Sequence, residues 1–151
     1  MSKRPEITLE TTLLVRDHCL CLHMQRAARA VARRFDAAFR PLDLTNGQFS
    51  LLMSLNRPVA PRLGAVASLL VMDRTTLTAA LKPLERRGLV KAAPDPKDKR
   101  SRLLSLTSDG RRLLARAFPI WDATHAAIEA LLRKDAPARL REDLRAVSAT
   151  A

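Results

Sequence analysis

The 151-residue sequence predicts a mainly α-helical fold with one small β-hairpin, an α+β arrangement. Apolar residues recur at helical spacing over most of the chain. Two short apolar stretches, residues 89–93 and 102–106, flank a charged turn, as in a hairpin. Helix caps and stops separate these segments. The length suits a single domain, which we expect to span residues 1–151.

The N-terminal third predicts a long helix followed by a short one. Residues from about Val15 to Arg40 are rich in Ala, Leu, Arg and Met, and Pro41 is expected to end this helix. Thr45 followed by Gln48 is a capping-box pattern, which predicts the start of the second helix.

The next two helices form a helix-turn-helix pattern. The first is expected from about Pro61 to Leu70. The second begins after Asp73, a favourable N-cap, and stops before Gly88. This second helix is expected to expose polar and basic residues along its N-terminal half.

Strands are expected at Leu89–Ala93 and Arg102–Leu106, joined by a loop at residues 94–101. Hairpin loops usually have about two to five residues, and longer ones tend to be functional. A hairpin that follows a helix-turn-helix predicts a winged helix with this charged loop as the tip of the wing. A solvated loop without function is the alternative.

Two further helices are predicted after the hairpin. Thr107 is expected to cap a long helix, which Pro119 kinks because proline removes a backbone donor and crowds the preceding turn. The final helix begins at Asp135 or at the turn around Pro137.

The charge balance predicts a polyanionic partner. The chain has 27 basic and 15 acidic residues and a formal net charge of +12. Twelve basic and five acidic residues lie between Asp73 and Arg116, so this segment carries most of the excess. Because the charge spans several elements, a nucleic-acid duplex is favoured over a membrane surface. Few aromatic residues are present, which disfavours single-stranded nucleic acid.

No signal peptide or membrane span is recognisable, so a soluble cytoplasmic protein is expected. The four glycines are scattered, which leaves no phosphate-binding Gly-rich loop, and no catalytic triad or paired carboxylates stand out. We therefore expect neither enzymatic activity nor a cofactor.

Three segments together resemble the MarR (multiple antibiotic resistance regulator) family of bacterial winged-helix transcription regulators. They are DRTTLTAALKPLERRGLV from Asp73, the tip DPKDKRS, and the following LLSLTSDGRRLL. The resemblance extends from about Cys19 to Val147. It implies a homodimeric DNA-binding transcription regulator, a repressor rather than an activator. Such a regulator occupies a palindromic operator and is released by a small ligand or an oxidant.

The resemblance also implies dimerisation helices at about residues 1–44 and 108–151, around a winged lobe at about 45–107. The sequence agrees independently, because the outer helices carry more apolar surface than a monomer of this length covers. A packed monomer core is the alternative. The apolar residues concerned are Leu13, Leu14, Phe118, Trp121, Ile128, Leu131, Leu132, Leu140 and Leu144.

In the family, the second helix of the helix-turn-helix enters the major groove, and an Asp-x-Arg in the wing sends its arginine into the minor groove. Here that pair is Asp98 and Arg100. A guanidinium fits the narrow, negative minor groove, and the nearby carboxylate is expected to hold it in position. The expected DNA-binding residues, at bases or phosphates, are Arg74, Thr75, Thr76, Thr78, Lys82, Lys97, Asp98, Lys99 and Arg100.

Two residues depart from the family pattern. Val71 stands in the helix-turn-helix turn where glycine is common, so a different backbone geometry is expected there. Pro83 lies inside the recognition helix and removes the hydrogen bond to the Ala79 carbonyl, so the helix is expected to bend or unwind slightly.

Cys21 falls where relatives similar to the organic hydroperoxide resistance regulators place a reactive cysteine, so it is a candidate redox sensor. Those sensors bond the thiolate to tyrosines, and this chain has none. A buried, apolar cysteine at a helix interface is the alternative. On one helix, Cys19 and Cys21 point about 200° apart and cannot pair within a chain. His18 shares one face of the helix with Cys21, and His23 shares another with Cys19. Neither face supplies four ligands, so no metal site is predicted.

Two alternatives stay open. The family's other switch is a small apolar or aromatic inducer between the dimer helices and the lobe, but its candidate lining fits a plain core equally well. A winged-helix module also binds structured RNA or a protein in some cases. The Asp98-x-Arg100 tip and the hydroxyl-rich helix favour DNA. The residues considered for an inducer pocket are Cys21, Met24, Phe49, Met53 and His125.

Overall fold

The computed structural model describes residues 7–149, which form seven α-helices and one two-stranded sheet. This architecture confirms the predicted mainly α fold with a β-hairpin. Residues 1–6 and 150–151, the outer ends of the expected dimerisation segments, lie outside the described residues. The elements are α1 (Leu9–His18), α2 (Leu20–Phe39), a 3-10 turn (Arg40–Leu42), α3 (Asn46–Leu55), α4 (Leu63–Leu70), α5 (Arg74–Arg86), β1 (Val90–Asp95), β2 (Asp98–Leu106), α6 (Ser108–Glu129) and α7 (Ala136–Ser148).

The predicted single helix from Val15 to Arg40 is wrong, because the chain forms two helices that meet at Cys19. Cys19 has an extended backbone (φ −71°, ψ 107°), so it ends α1 and caps α2. Its Sγ accepts a hydrogen bond from the Leu22 N–H at 3.4 Å. A thiol therefore takes the place of the Ser or Thr hydroxyl that usually marks a helix start. Apolar spacing alone does not indicate a boundary of this kind.

Four other predicted helix starts are confirmed, whereas α4 starts at Leu63, two residues after the expected Pro61. Thr45 Oγ1 accepts from the Gln48 N–H at 3.2 Å, and Gln48 Oε1 accepts from the Thr45 N–H at 3.1 Å, which is a complete capping box. Asp73 caps α5 and Thr107 caps α6, each through its side chain. Helix α7 begins after Asp135.

Both internal prolines lie in helices that continue through them. Helix α5 reaches Arg86 despite Pro83, and α6 reaches Glu129 despite Pro119. Each proline removes one backbone hydrogen bond, but neither interrupts the helical conformation. Unwinding at Pro83 is therefore not observed, and the kink at Pro119 stays a prediction.

The core lies between α2, α3, α4, α5, the hairpin and the first half of α6. Phe39 stacks on Phe49 with ring centroids 4.9 Å apart, and Phe49 stacks on Trp121 at 6.4 Å, so aromatic rings join three helices. A fully buried Leu, Val or Phe side chain contributes about 1.5–3 kcal/mol. The largest fully buried side chains are Phe39, Leu52, Val66, Leu77, Leu84 and Leu104.

Most of the apolar residues expected at a dimer interface are uncovered in the single chain. Trp121 and Ile128 are the exceptions, since they are half-buried against the core, as the monomer-core alternative proposed. The other seven are exposed, from 37% at Leu13 to 64% at Leu131. Neither α1 nor α7 contains a buried residue.

Val71 adopts the left-handed conformation that glycine favours, with φ 52° and ψ 47°. The expectation of a different turn geometry is therefore wrong: the turn keeps its shape and the β-branched residue carries the strain. The turn closes because the Val71 N–H donates to the Ser68 carbonyl at 3.2 Å and the Met72 N–H to the Ala67 carbonyl at 2.9 Å.

Val71→Gly is expected to raise the free energy of unfolding by about 1 kcal/mol, because glycine adopts this backbone conformation without a Cβ clash. Urea denaturation at fixed protein concentration measures the change. Val59→Gly is the matched control, since Val59 is also exposed but has no positive φ. A gain of the same size in both variants would count against strain at Val71.

Gly110 lies where α6 packs against Leu89, the residue before β1. A Cβ at this position would lie 2.1 Å from the Leu89 carbonyl oxygen. The same oxygen accepts from the Thr107 N–H at 3.0 Å, and the Thr107 hydroxyl donates to the Gly88 carbonyl at 2.6 Å. Only a glycine therefore allows this approach of helix and hairpin.

Gly110→Ala is expected to destabilise the protein by about 1–3 kcal/mol, because the methyl group must push backbone away from backbone. Gly47→Ala is the control, since a Cβ added to Gly47 in α3 would have no heavy atom within 4 Å. It is expected to be neutral or to stabilise by up to about 1 kcal/mol. Thermal unfolding of both variants checks this, and wild-type stability of Gly110→Ala would contradict the packing described.

Candidate nucleic-acid interface

The wing is tighter than predicted. β1 and β2 pair out to Asp95 opposite Asp98, so residues 94–101 are strand apart from a turn at Pro96 and Lys97. The predicted long loop is wrong. Its prolines suggested a break, but a strand at a sheet edge tolerates proline, whose missing N–H takes no part in the ladder.

Strand β2 pairs with the residues just before α4 as well as with β1. The Leu104 N–H donates to the Pro61 carbonyl at 2.9 Å, and Arg62 forms an isolated antiparallel bridge with Leu103. Arg62 is also the N-cap residue of α4. The start of the helix-turn-helix and the wing are therefore held side by side through their backbones.

Asp98 holds the backbone of Arg100. Its Oδ1 accepts a hydrogen bond from the Arg100 N–H at 3.1 Å. The carboxylate was expected to hold the guanidinium, and the structure corrects this detail. Lys97, Lys99 and Arg100 are exposed along the outer part of the wing.

Helix α5 buries Leu77, Leu81 and Leu84 and turns its polar side outward. Asp73 accepts from the Thr76 hydroxyl at 2.6 Å and from the Thr76 N–H at 2.8 Å. These hydrogen bonds, the one from the hydroxyl first, lower the pKa of the Asp73 carboxyl. The carboxylate is therefore well suited to cap α5.

The hydroxyl protons of two expected DNA-binding threonines are used inside α5. Thr76 donates to Asp73, and the Thr78 hydroxyl donates to the Arg74 carbonyl at 2.7 Å. Toward a partner these oxygens are acceptors, which suits base amino groups rather than phosphates. Thr75 and Lys82 are exposed on the same helix.

A cleft of about 560 Å³ lies between the wing and the first turns of α4 and α5. Arg74 from α5 and Asp98 and Arg100 from the wing meet there, although they are distant in the sequence. Arg62 and Arg102, which sequence reasoning missed, also line it. The expected DNA-binding residues that do not line the cleft are Thr75, Thr76, Thr78, Lys82, Lys97 and Lys99.

An ion pair between half-exposed Arg62 and a buried carboxylate fixes one wall of this cleft. Arg62 Nη2 lies 2.7 Å from Asp95 Oδ2, and the Asp95 side chain is only 5% exposed. The other carboxylate oxygen accepts from the Lys97 N–H at 2.9 Å. The sequence D-P-K was the available signal for a turn closed by an aspartate, but nothing local places Arg62 beside it.

Cys21 is exposed on α2, and Gln25 Nε2 donates to its Sγ at 3.3 Å. Cys21 is therefore not buried within the single chain, and its burial at a helix interface of a dimer stays a prediction. The predicted angle between the Cys19 and Cys21 side chains does not apply, because the helix breaks at Cys19. Redox sensing by Cys21 stays a prediction.

Within residues 7–149, no group of three or more His, Cys, Asp or Glu side chains is placed to hold a metal ion.

An open, mostly apolar cleft of about 460 Å³ lies where α3, α4 and α6 meet. Of the residues considered for an inducer pocket, Phe49 and Met53 line it, whereas Cys21, Met24 and His125 do not. The other residues that line this cleft are Ser50, Ser54, Arg57, Leu69, Leu70, Phe118 and Trp121.

No helix within residues 7–149 is long and apolar enough to cross a membrane.

Comparisons with known proteins agree with this architecture. The model of the MarR family matches residues 44–101, from the cap of α3 to the wing. Transcriptional regulator HosA of Escherichia coli O111:H- is 36% identical over 81 residues, which cover 54% of this chain and 60% of HosA. The organic hydroperoxide resistance transcriptional regulator of Bacillus subtilis (strain 168) is 30% identical over 101 residues, which cover 67% of this chain and 69% of that protein.

A solved structure extends the likeness to almost the whole chain. The transcriptional repressor CouR, bound to a 23-mer DNA duplex, has a TM-score of 0.79 and 30% sequence identity. The match covers 95% of this chain and 99% of CouR. In sequence, by contrast, this chain spans about 60% of the length of HosA.

Proposed function

Because the chain belongs to the MarR family, we propose that it is a transcription regulator that binds duplex DNA as a homodimer. The observation that carries the proposal is the meeting of α5 and the wing at one basic surface, with Arg74 and Arg100 on a shared cleft. The DNA duplex bound to CouR supports DNA as partner over structured RNA or a protein. A regulator of this kind acts on genes in the cytoplasm, and the proposal assigns it no catalytic step.

In the proposed complex, α5 lies in the major groove. Thr76 and Thr78 accept from base amino groups, while Arg74 and Thr75 contact bases or nearby phosphates and Lys82 contacts phosphate. The wing places Arg100 in the minor groove, where the negative potential attracts a guanidinium. Lys97, Lys99 and the backbone-fixing Asp98 complete the wing's contribution.

A second copy of the chain is the proposed cover for α1 and α7. These helices have 10 and 13 residues and bury none of them in the single chain. Isolated helices shorter than about 12–15 residues are marginal in water, so they require a partner surface. Leu140 and Leu144 share one face of α7 and are both exposed. A two-fold dimer matches a palindromic operator.

Repression is proposed because CouR is named a repressor. Release would follow when a ligand or an oxidant changes the spacing of the two recognition helices. The apolar cleft lined by Phe49, Met53 and Phe118 suits a small apolar or aromatic inducer, since it lies between the lobe and α6. Cys21 is the proposed site for an oxidant, supported by the likeness to the organic hydroperoxide regulator.

The proposed function predicts selective binding to duplex DNA. Fluorescence anisotropy is measured with the duplex immediately upstream of the chain's own gene and with a scrambled duplex at the same near-physiological salt. Selective binding is expected for the upstream duplex or for a palindrome enriched from a random 23-base-pair library. Equal, weak binding to every duplex and no enriched palindrome would refute a DNA-binding regulator.

Arg100→Ala is expected to weaken binding to the selected duplex by about 1–3 kcal/mol, because one good groove contact is lost. Arg133→Ala is the control, because this substitution removes the same charge at an exposed residue in the connection between α6 and α7. Anisotropy titration measures both variants. Unchanged affinity in Arg100→Ala would show that the wing is wrongly placed in the minor groove.

A further inference from the structure

We propose that the cleft between α4 and the wing binds one phosphate of the DNA backbone, the phosphate that lies between the two grooves. We call it the arginine cleft, after Arg62, Arg74, Arg100 and Arg102 on its walls. The inference rests on the proposed function and adds a binding site with two residues, Arg62 and Arg102, that neither the family resemblance nor the comparisons assign.

The charge of the arginine cleft favours an anion. Four guanidinium groups and one carboxylate, that of Asp98, line it. Within the described residues, Arg74, Arg100 and Arg102 form no ion pair with a carboxylate. Like charges that share a cleft repel each other, so an anion bound among them is stabilised by several partners at once.

The position of Arg62 is fixed from behind. Asp95 is almost fully buried and binds Arg62 Nη2 at 2.7 Å, while its other oxygen accepts from the Lys97 N–H. Half of the Arg62 side chain nevertheless stays exposed at the cleft. A buried carboxylate that holds an exposed arginine in one place indicates a built site rather than a mobile surface charge.

The Arg74 guanidinium lies against Gly64. A Cβ at Gly64 would lie 2.9 Å from Arg74 Nη2 and 3.5 Å from its Cζ, so the guanidinium rests against the first turn of α4 where a side chain is missing. This turn has neither a side-chain cap nor an acidic residue. Its positive end therefore adds to the charge of the arginines.

The geometry of a duplex selects the ligand. With α5 in the major groove and Arg100 in the minor groove, the sugar-phosphate backbone that separates the grooves must pass between them. The arginine cleft lies between the start of α4 and the wing, and Arg74, the first residue of α5, is on its wall together with Arg100. A phosphate bound there fixes the distance between the two groove contacts, which is the positioning role of backbone contacts.

The test uses the full-length protein and a duplex that the wild type selects from a random library. Single neutral methylphosphonates replace each phosphate of one half-site in turn, and affinity is measured for wild type, Arg102→Gln and Gly64→Ala. We expect one position at which the wild type loses about tenfold in affinity. At that position both variants lose less than about threefold, because they have already lost the contact.

Arg102→Gln alone is expected to weaken selected and scrambled duplexes equally and to reduce the salt slope by about one per protomer. Gly64→Ala displaces Arg74 without changing the charge, and circular dichroism confirms that each variant is folded. Arg133→Gln is the control, which is expected to keep the wild-type methylphosphonate profile.

The outcomes separate the two proposals. If the wild type selects a duplex but Arg102→Gln and Gly64→Ala keep its full methylphosphonate profile, the phosphate site is refuted and the regulator stands. If the wild type selects no duplex, the proposed function itself fails. Inorganic phosphate is titrated without DNA as a separate arm. Binding of this ion in the absence of any methylphosphonate effect would overturn the DNA backbone as the source of the phosphate.

Discussion

The carbonyl oxygen of Leu89 is the contact on which the assembly of the lobe depends. It accepts from the Thr107 N–H, and Gly110 lets α6 approach it. Leu89 follows α5 closely and Thr107 directly follows β2, so one backbone hydrogen bond joins α5, β2 and the start of α6. The positions of α5 and the wing relative to α6 therefore have a common origin, and α6 leads away toward the helices proposed to hold the second copy.

The number of basic residues overstates the number of guanidinium groups that are free to bind a partner. Arg87 Nη1 donates to the Asp43 carbonyl at 2.6 Å, and Arg111 Nη1 donates to the Leu106 carbonyl at 3.1 Å. Arg112 is paired with Asp109. These guanidinium groups satisfy backbone or carboxylate oxygens of the chain itself, so the surface offered to a polyanion is narrower than a count of basic residues indicates.

Features set by neighbouring residues were predictable from the sequence. Thr45, Asp73 and Thr107 start helices because each cap bonds an N–H three residues later. The cleft was not predictable, because Arg62 and Asp95 are 33 positions apart and only the fold pairs them. The break at Cys19 was missed for a local reason, since sulfur is an uncommon cap. The paired wing strands, whose residues were assigned to a loop, depend on cross-strand partners rather than on proline content.

The aromatic cluster gives the molecule a built-in optical label. The chain contains one tryptophan and no tyrosine, so intrinsic emission excited in the indole band comes from a single site. Trp121 stacks with Phe49, Phe118 and His125 and lines the apolar cleft where α3, α4 and α6 meet. Any molecule that enters this cleft changes the surroundings of that one fluorophore. Occupancy there is thus readable in unlabelled protein, without DNA and without a reporter gene.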